Sequence, residues 1–314
     1  MISHSSIRKM MATENKSHHP RLRIIPRLDI KGGNLVKGIH LEGLRVLGEP
    51  APFARHYYEQ GADELLYIDI VASLYGRNSL LDMIERTAKE VFIPLTVGGG
   101  LRSIEDIRSA LRAGADKVAI NTAAVHRPEF IREAAQKFGC STIVLSIEAK
   151  RCPDGSYEVY TDNGREKTGL DACNWALQGV ELGAGEVLVT SVDREGTGLG
   201  FDLDLSRRIA ESVSVPVIAG GGAASVEHVQ QAACCAQVQA VAIASMLHYG
   251  LLRHGPVPKI GGNGGALGEF QTGFGRTATV SSKFQEIALG TLKRELAEKG
   301  IPCRVVPVRE TAGQ

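Results

Sequence analysis

The stretch IPLTVGGGLRSIEDIRSAL, residues 93–111, recurs in altered form as VPVIAGGGAASVEHVQQAA, residues 215–233. The matches fall on structure-setting positions: Pro94 with Pro216, the glycines 98–100 with 220–222, Ser103 with Ser225 and Glu105 with Glu227. A repeat of a strand, a turn and a helix at this separation requires a fold made of two similar halves.

The rest of the chain follows the same alternation. Short apolar, β-branched runs (RIIPRLDI, ELLYIDI, IPLTV, DKVAIN, TIVLSIE, EVLVTS, VPVIA, QAVAIA) are separated by amphipathic stretches of helical length. The helical patterns include APFARHYYEQG, SLLDMIERTAKEV, SIEDIRSALRAG, RPEFIREAAQKFG, DACNWALQGVELG and, after the eighth strand, SKFQEIALGTLKRELAEKG. Eight strands alternating with helices imply parallel strands joined by right-handed crossovers. Over about 250 residues that is an α/β fold of one kind, a single (β/α)8 TIM barrel, here built from two half-barrel repeats. A doubly wound open sheet rarely repeats so evenly.

The bulk properties narrow the function. Lysine and arginine number 36 against 35 aspartates and glutamates, so no charge excess calls for nucleic acid or a membrane surface. No apolar run approaches the roughly 18 residues of a transmembrane helix. Residues 1–20 are polar, lack the apolar core of a secretory signal and read as a flexible extension, with His4, His18 and His19 in a solvated tail. Six cysteines without regular spacing suit reduced thiols in the cytoplasm, and Cys140 and Cys234 read as small helix-packing residues. The barrel then spans 21–314, with a Gly-rich insertion at 253–282 that has neither helical nor strand period and reads as a flexible loop at the active-site face.

Each triple glycine follows a strand and precedes a helix, at the face where barrel active sites lie. Ser103 or Ser225 would cap that helix, and the uncovered N–H groups at its N-terminus form an anion site. AINTAAV after strand 4 and AIASMLH after strand 8 offer small or hydroxyl residues to the same oxygens. The glycines would also serve merely to permit tight turns. Two copies at equivalent positions favour a phosphate at each side of the mouth, hence a long, doubly phosphorylated ligand. Asp29 ends strand 1 and Glu148 ends strand 5, its half-barrel equivalent, so the two acids face each other across the mouth, suited to acid–base work. Asp69 follows strand 2, and Asp193 and Glu195 follow strand 6. Lys37, in the long first loop, is either an inert exposed lysine, the usual case for such a position, or a mobile cation that closes over the substrate.

These residues resemble the cyclase subunit of imidazole glycerol phosphate synthase, a histidine-biosynthesis family. The markers are RIIPRLDIKGGNLVKG, GADELLYIDIVAS, IPLTVGGGLRS, GADKVAINTAAV, the hairpin YEVYTDNGREKTG, GAGEVLVTSVDREGTGLGFD and IAGGGAA. The resemblance implies a lyase that uses ammonia from a glutaminase partner subunit. A bisphosphorylated ribulosyl-aminoimidazole substrate becomes imidazole glycerol phosphate and an aminoimidazole carboxamide ribotide, with no cofactor and no metal. It implies catalysis by Asp29 and Glu148, supported by Lys37 and Asp69. It places one phosphate on Gly100, Asn121 and Thr122 and the other on Gly196, Gly222, Ala244 and Ser245. It also makes Arg23, Glu64, Lys117 and Glu186, at the starting ends of strands 1, 2, 4 and 6, a basal gate for ammonia; an ordinary solvated salt-bridge rim is the alternative.

The sequence departs from the family pattern at Glu148 and Glu195, where the family has aspartate, at Arg27, where it has cysteine, at Gly220, where it has serine, and in the insertion. These departures keep open a paralogue that delivers ammonia to a separate amidating enzyme in surface-sugar synthesis; the sister isomerase, which shares the half-barrel plan and glycine turns, and a non-catalytic phosphate-binding barrel are two further readings. Arg27 lies two residues before Asp29, so strand alternation points both into the barrel. Buried there, its guanidinium needs a carboxylate, with Glu148 expected first and Asp69 second, and that pairing would keep Glu148 ionised. A bulge after Pro26 would instead turn Arg27 outward.

Overall fold

The computed structural model describes residues 21–70, 80–254, 270–271, 277–278 and 284–306. The extension 1–20 with its three histidines, and most of 253–282, lie outside the described residues. Strand β1 (Arg23–Lys31) runs on into a hairpin, β2 (Asn34–Ile39) and β3 (Glu42–Gly48). Parallel strands β4 (Leu65–Asp69), β5 (Leu95–Gly98) and β6 (Lys117–Ile120) follow. Then β7 (Ile143–Arg151) runs into a second hairpin, β8 (Tyr157–Thr161) and β9 (Glu166–Asp171), and β10 (Glu186–Ser191), β11 (Val217–Gly220) and β12 (Ala240–Ile243) complete the series. The ladder β1-β4-β5-β6-β7-β10-β11-β12 is parallel throughout and closes through β12 onto β1, giving the eight-stranded barrel.

The two halves match in detail. The two longest barrel strands, β1 and β7, start the halves, and each leaves the parallel ladder to make an antiparallel hairpin. Ser103 accepts a hydrogen bond from Asp106 N in a full capping box, and Ser225 accepts one from His228 N, so both helices after the glycine turns are capped as their sequences suggest.

Strand alternation sorts the core in two. Ile24, Leu28 and Ile30 join the large cluster between strands and helices, whereas Ile25, Leu66, Ala119, Val144, Leu188, Ile218, Ala240 and Ala242 form a separate apolar cluster inside the barrel. The lumen is thus packed in tiers rather than open.

Several expectations need correction. The expected helix from Ser282 is Leu289–Glu298 among the described residues, and the described stretch 284–288 before it is not helical: Gln285 N–H donates to Ala224 O and its side chain receives Val226 N. The eighth unit gains a further helix, Ser245–His254, that carries the chain past the expected start of the insertion. Within 253–282, Phe270–Gln271 pairs with Thr277–Ala278 as a short two-stranded sheet. Cys140 and Cys234 are exposed rather than packed, since Cys140 sits in a 3-10 turn and Cys234 on an outward helix face; all six thiols are unpaired. No described helix is long and apolar enough to cross a membrane.

Gly99 shows how tightly the first glycine turn is built. Its φ is +97°, and a β-carbon there would overlap the backbone of Asp69. Gly139 has a similar φ of +91° but open space around it. With ψ of 145° Gly139 lies outside the left-handed helical region, and Gly139→Ala is expected to cost about 1–3 kcal/mol for the backbone conformation alone. Gly99→Ala should cost clearly more, as read from the denaturant midpoint; equal losses would mean that the close approach to Asp69 is unimportant.

Candidate active site

Asp29 and Glu148 occupy equivalent joints. Asp29 pairs in register with Ile68 of β4 and Val36 of β2, and Glu148 with Thr190 of β10 and Tyr160 of β8. Each acid therefore stands where a barrel strand passes into its hairpin. Asp29 is 3% exposed. Its Oδ1 accepts from Arg27 Nε at 2.7 Å and its Oδ2 from Lys37 Nζ at 3.2 Å. Burial would raise the Asp29 pKa, but the guanidinium and the ammonium outweigh it and hold the carboxyl below its ordinary value.

Glu148 is treated differently. Its Oε2 accepts a single backbone bond from Gly164 N at 2.8 Å. Burial pushes its pKa up to about 7, and the more distant charge of Arg27 only partly opposes this. The sequence-based expectation for Arg27 is thus half met. The guanidinium does point inward and does bond a carboxylate, but the partner is Asp29 on its own strand, and Glu148 is not held ionised. The reason is reach: Nε meets the carboxylate two residues on, while Nη1 spends its bond on Thr190 Oγ1 at 3.0 Å.

Lys37 also departs from expectation. It lies on strand β2 opposite Arg45 and is 3% exposed, bonded to Glu195 as well as Asp29. Burial would lower its pKa, but Glu195 and Asp29 more than compensate, so the ammonium is charged. The segment is an ordered hairpin whose tip is tied down: His40 N donates to Glu195 O at 2.8 Å, and Asn163 Nδ2 to Leu41 O at 3.0 Å.

Asp69, Gly100, Asn121 and Thr122 line one cavity of about 300 Å³ with Glu148, Ser146, Arg102, His126 and Arg127. Among the described residues the buried Asn121 Oδ1 has no hydrogen-bond partner, leaving a lone pair for a ligand. The second set converges at the ends of β11 and β12. Gly222 has φ +97° and its carbonyl accepts from Gly200 N at 2.8 Å, Ser245 opens the helix after Ala244, and Gly196 packs on the Gly38 carbonyl of the first hairpin. At the opposite end, Lys117 bonds Glu64 and Glu186 at 3.0 Å each, and Arg23 bonds the same two carboxylates, closing a ring of alternating charge.

Residue-by-residue sequence reasoning missed Thr190, His248 and Tyr57. His248 Nε2 donates to Arg27 O at 3.0 Å and its Nδ1 receives the Tyr57 hydroxyl at 2.6 Å. Burial drives the His248 pKa to about 3, so this bracing imidazole is neutral. Only Thr190 left a trace in the sequence, as a hydroxyl on the lumen face of strand 6.

Two acids of opposite protonation bias, Asp29 buried and Glu148 half-buried, thus stand beside a glycine turn at the C-terminal mouth of a (β/α)8 barrel, the face where such barrels carry their active sites. The profile of the family described as histidine biosynthesis protein matches residues 23–253. The chain belongs to that family. The imidazole glycerol phosphate synthase subunit HisF of Legionella pneumophila is 59% identical over 206 residues, which is 66% of this chain and 97% of that protein.

The Glu148 carboxyl gives a stability test. Its folded pKa of about 7 lies above the ordinary 4.5, so its contribution is intact below pH 4.5 and is lost as pH rises through 7. Glu148→Gln cannot titrate. Its stability relative to the parent should therefore rise by up to about 3 kcal/mol between those pH values, as read from denaturant unfolding; a constant difference would place the Glu148 pKa near its ordinary value.

Proposed function

We propose that this chain is the cyclase subunit of imidazole glycerol phosphate synthase. Ammonia and a bisphosphorylated ribulosyl-aminoimidazole substrate give imidazole glycerol phosphate, an aminoimidazole carboxamide ribotide and one water, which carries away the ketone oxygen of the substrate. The observation that carries the site assignment is the divided character of the two carboxyls, Asp29 held ionised and Glu148 held protonated up to near neutrality. Making a carbon–nitrogen bond from ammonia requires a proton to leave the incoming nitrogen, and the departing amine must gain one. Asp29 serves as the base and Glu148 as the acid. Lys37 neutralises Asp29 and Glu195 beneath the hairpin and places a cation at the mouth. Asp69 flanks the acid in the same cavity.

The substrate phosphates sit at the two glycine turns, one on Gly100, Asn121 and Thr122, the other on Gly196, Gly222, Ala244 and Ser245. The helix N-termini at Thr122 and Ser245 favour them. The HisF relative is named as a subunit, and we assign a glutaminase as the partner of this chain, docked at the base. Ammonia would enter through the ring of Arg23, Glu64, Lys117 and Glu186. Partly exposed ion pairs contribute only about 0–1 kcal/mol each, so stability alone is a weak reason for such a ring.

The decisive assay is ring closure with ammonium salt at alkaline pH. Asp29→Asn keeps the shape of the side chain and removes the base, so turnover should fall at least ~10²-fold with little change in substrate affinity. A variant that keeps most of its turnover would show that Asp29 is not the base. Parent protein that binds the substrate tightly without turnover would assign the ammonia-delivery role instead. Lys117→Ala should leave the ammonium-dependent rate nearly intact and weaken the glutamine-dependent rate of the two-subunit enzyme. Equal losses in both assays would remove the gate.

A further inference from the structure

Arg27 is a fully charged side chain, 4% exposed, set into the barrel just above Ile25 and the rest of the apolar lumen cluster. So deeply placed, its position is set by what it bonds. Nε donates to Asp29 on β1 and Nη1 to Thr190 on β10. Strands β1 and β10 are separated around the barrel by β12 and β11, so the guanidinium spans the lumen rather than one groove. The path is kept clear by Gly220, which neighbours Thr190 in register; a β-carbon there would stand 3.1 Å from Thr190 Oγ1. The main chain is held as firmly, because the Arg27 carbonyl receives His248, itself braced by Tyr57.

The charges around it do not balance. Among the described residues Arg27 and Lys37 are the two cations of the cluster, facing Asp29 on β1, Glu195 in the loop after β10 and Glu148 on β7; His248 is neutral, the Asp162 charge acts on Glu148, and Asp69 lines the same cavity as Glu148. Asp29 receives hydrogen bonds from both cations and Glu195 from one, while Glu148 receives only a backbone N–H.

We propose that Arg27 is a positioning residue that sets the two carboxyls apart: anchored on Thr190 across the lumen, it fixes Asp29 in place and gives it by direct contact the counter-charge that reaches Glu148 only from a distance. This rests on the cyclase assignment and deepens it. Without the guanidinium, Asp29 keeps only Lys37, and Glu148 loses the one cation that opposes its burial. Both carboxyls would then hold their protons to higher pH.

The test combines pH profiles with direct carboxyl titration. Arg27→Met should lower kcat for ammonium-dependent ring closure by about 10–100-fold with KM changed no more than about 2-fold. Both limbs of the kcat/KM profile should move to higher pH, and Arg27→Lys, which restores a cation, should bring them part of the way back. An arginine that merely fills space would lower rate or melting temperature and leave the limbs in place, and that result overturns the proposal. Thr190→Val removes the anchor and no charge, so it should reduce kcat several-fold without moving the limbs; an unchanged kcat overturns the bridging role. Should Arg27→Met not fold, Arg27→Lys and Thr190→Val carry the same comparison. Carbon-13 titration of Asp29 and Glu148, assigned with Asp29→Asn and Glu148→Gln, needs no substrate. Asp29 should titrate at least about one pH unit higher in Arg27→Met, and no movement refutes the inference. If the parent protein turns nothing over, the cyclase assignment fails, and the titration still decides the role of Arg27.

Discussion

Closing eight parallel strands on themselves forces every second side chain of each strand into a lumen with little room. The whole functional architecture depends on that constraint. Along β1 the inward positions are Arg23, Ile25, Arg27 and Asp29, and they pass in turn through an ionic ring, an apolar tier, a buried cation and the Asp29 carboxylate at the mouth. The other strands supply matching levels, as Glu186, Leu188 and Thr190 do on β10. A register slip of one residue would exchange these for the helix-facing Ile24, Leu28 and Ile30. Position along the strand is therefore position along the path from base to mouth.

Burying so many charges is expensive, several kcal/mol for each ion taken from water even after relaxation. Arg27, Lys37, Asp29 and Glu195 meet that cost by bonding one another, which leaves Glu148 as the carboxyl that escapes it by staying protonated. The difference between acid and base is thus a consequence of how few cations the lumen holds. The basal ring is built otherwise: its two cations and two carboxylates alternate, each side chain touches two partners, and its arginine and lysine are only half buried. One cluster divides protons unequally; the other is neutral by pairing.

The two hairpins show what a chain reveals about itself. The turn between β8 and β9 is Asp162, Asn163 and Gly164, all with positive φ, a residue set that favours this conformation and marks a hairpin in advance. The equivalent turn between β2 and β3 is His40 and Leu41, with φ of +51° and +63°. Leucine does not prefer that conformation, and the segment reads as a loop. What holds it is non-local: Glu195 and Asn163 bond the turn backbone, and the Leu41 side chain is buried. Lys37 therefore looked like a mobile surface cation and is instead a sealed partner of two carboxylates.

By itself the sequence determined the barrel, its two halves, the helix caps at Ser103 and Ser225, and the strand ends at which Asp29, Glu148 and the glycine turns would lie. Those follow from period, turn chemistry and repetition, which are local and survive in one dimension. Only the tertiary structure decided the partnerships. Arg27 could be placed inside the barrel by alternation, yet whether it met Asp29 or Glu148 depended on the span to Thr190 on a strand 163 residues away in the chain. Protonation is likewise a property of the assembled lumen, because burial and the nearest cation, neither of them local in sequence, fix which carboxyl keeps its proton.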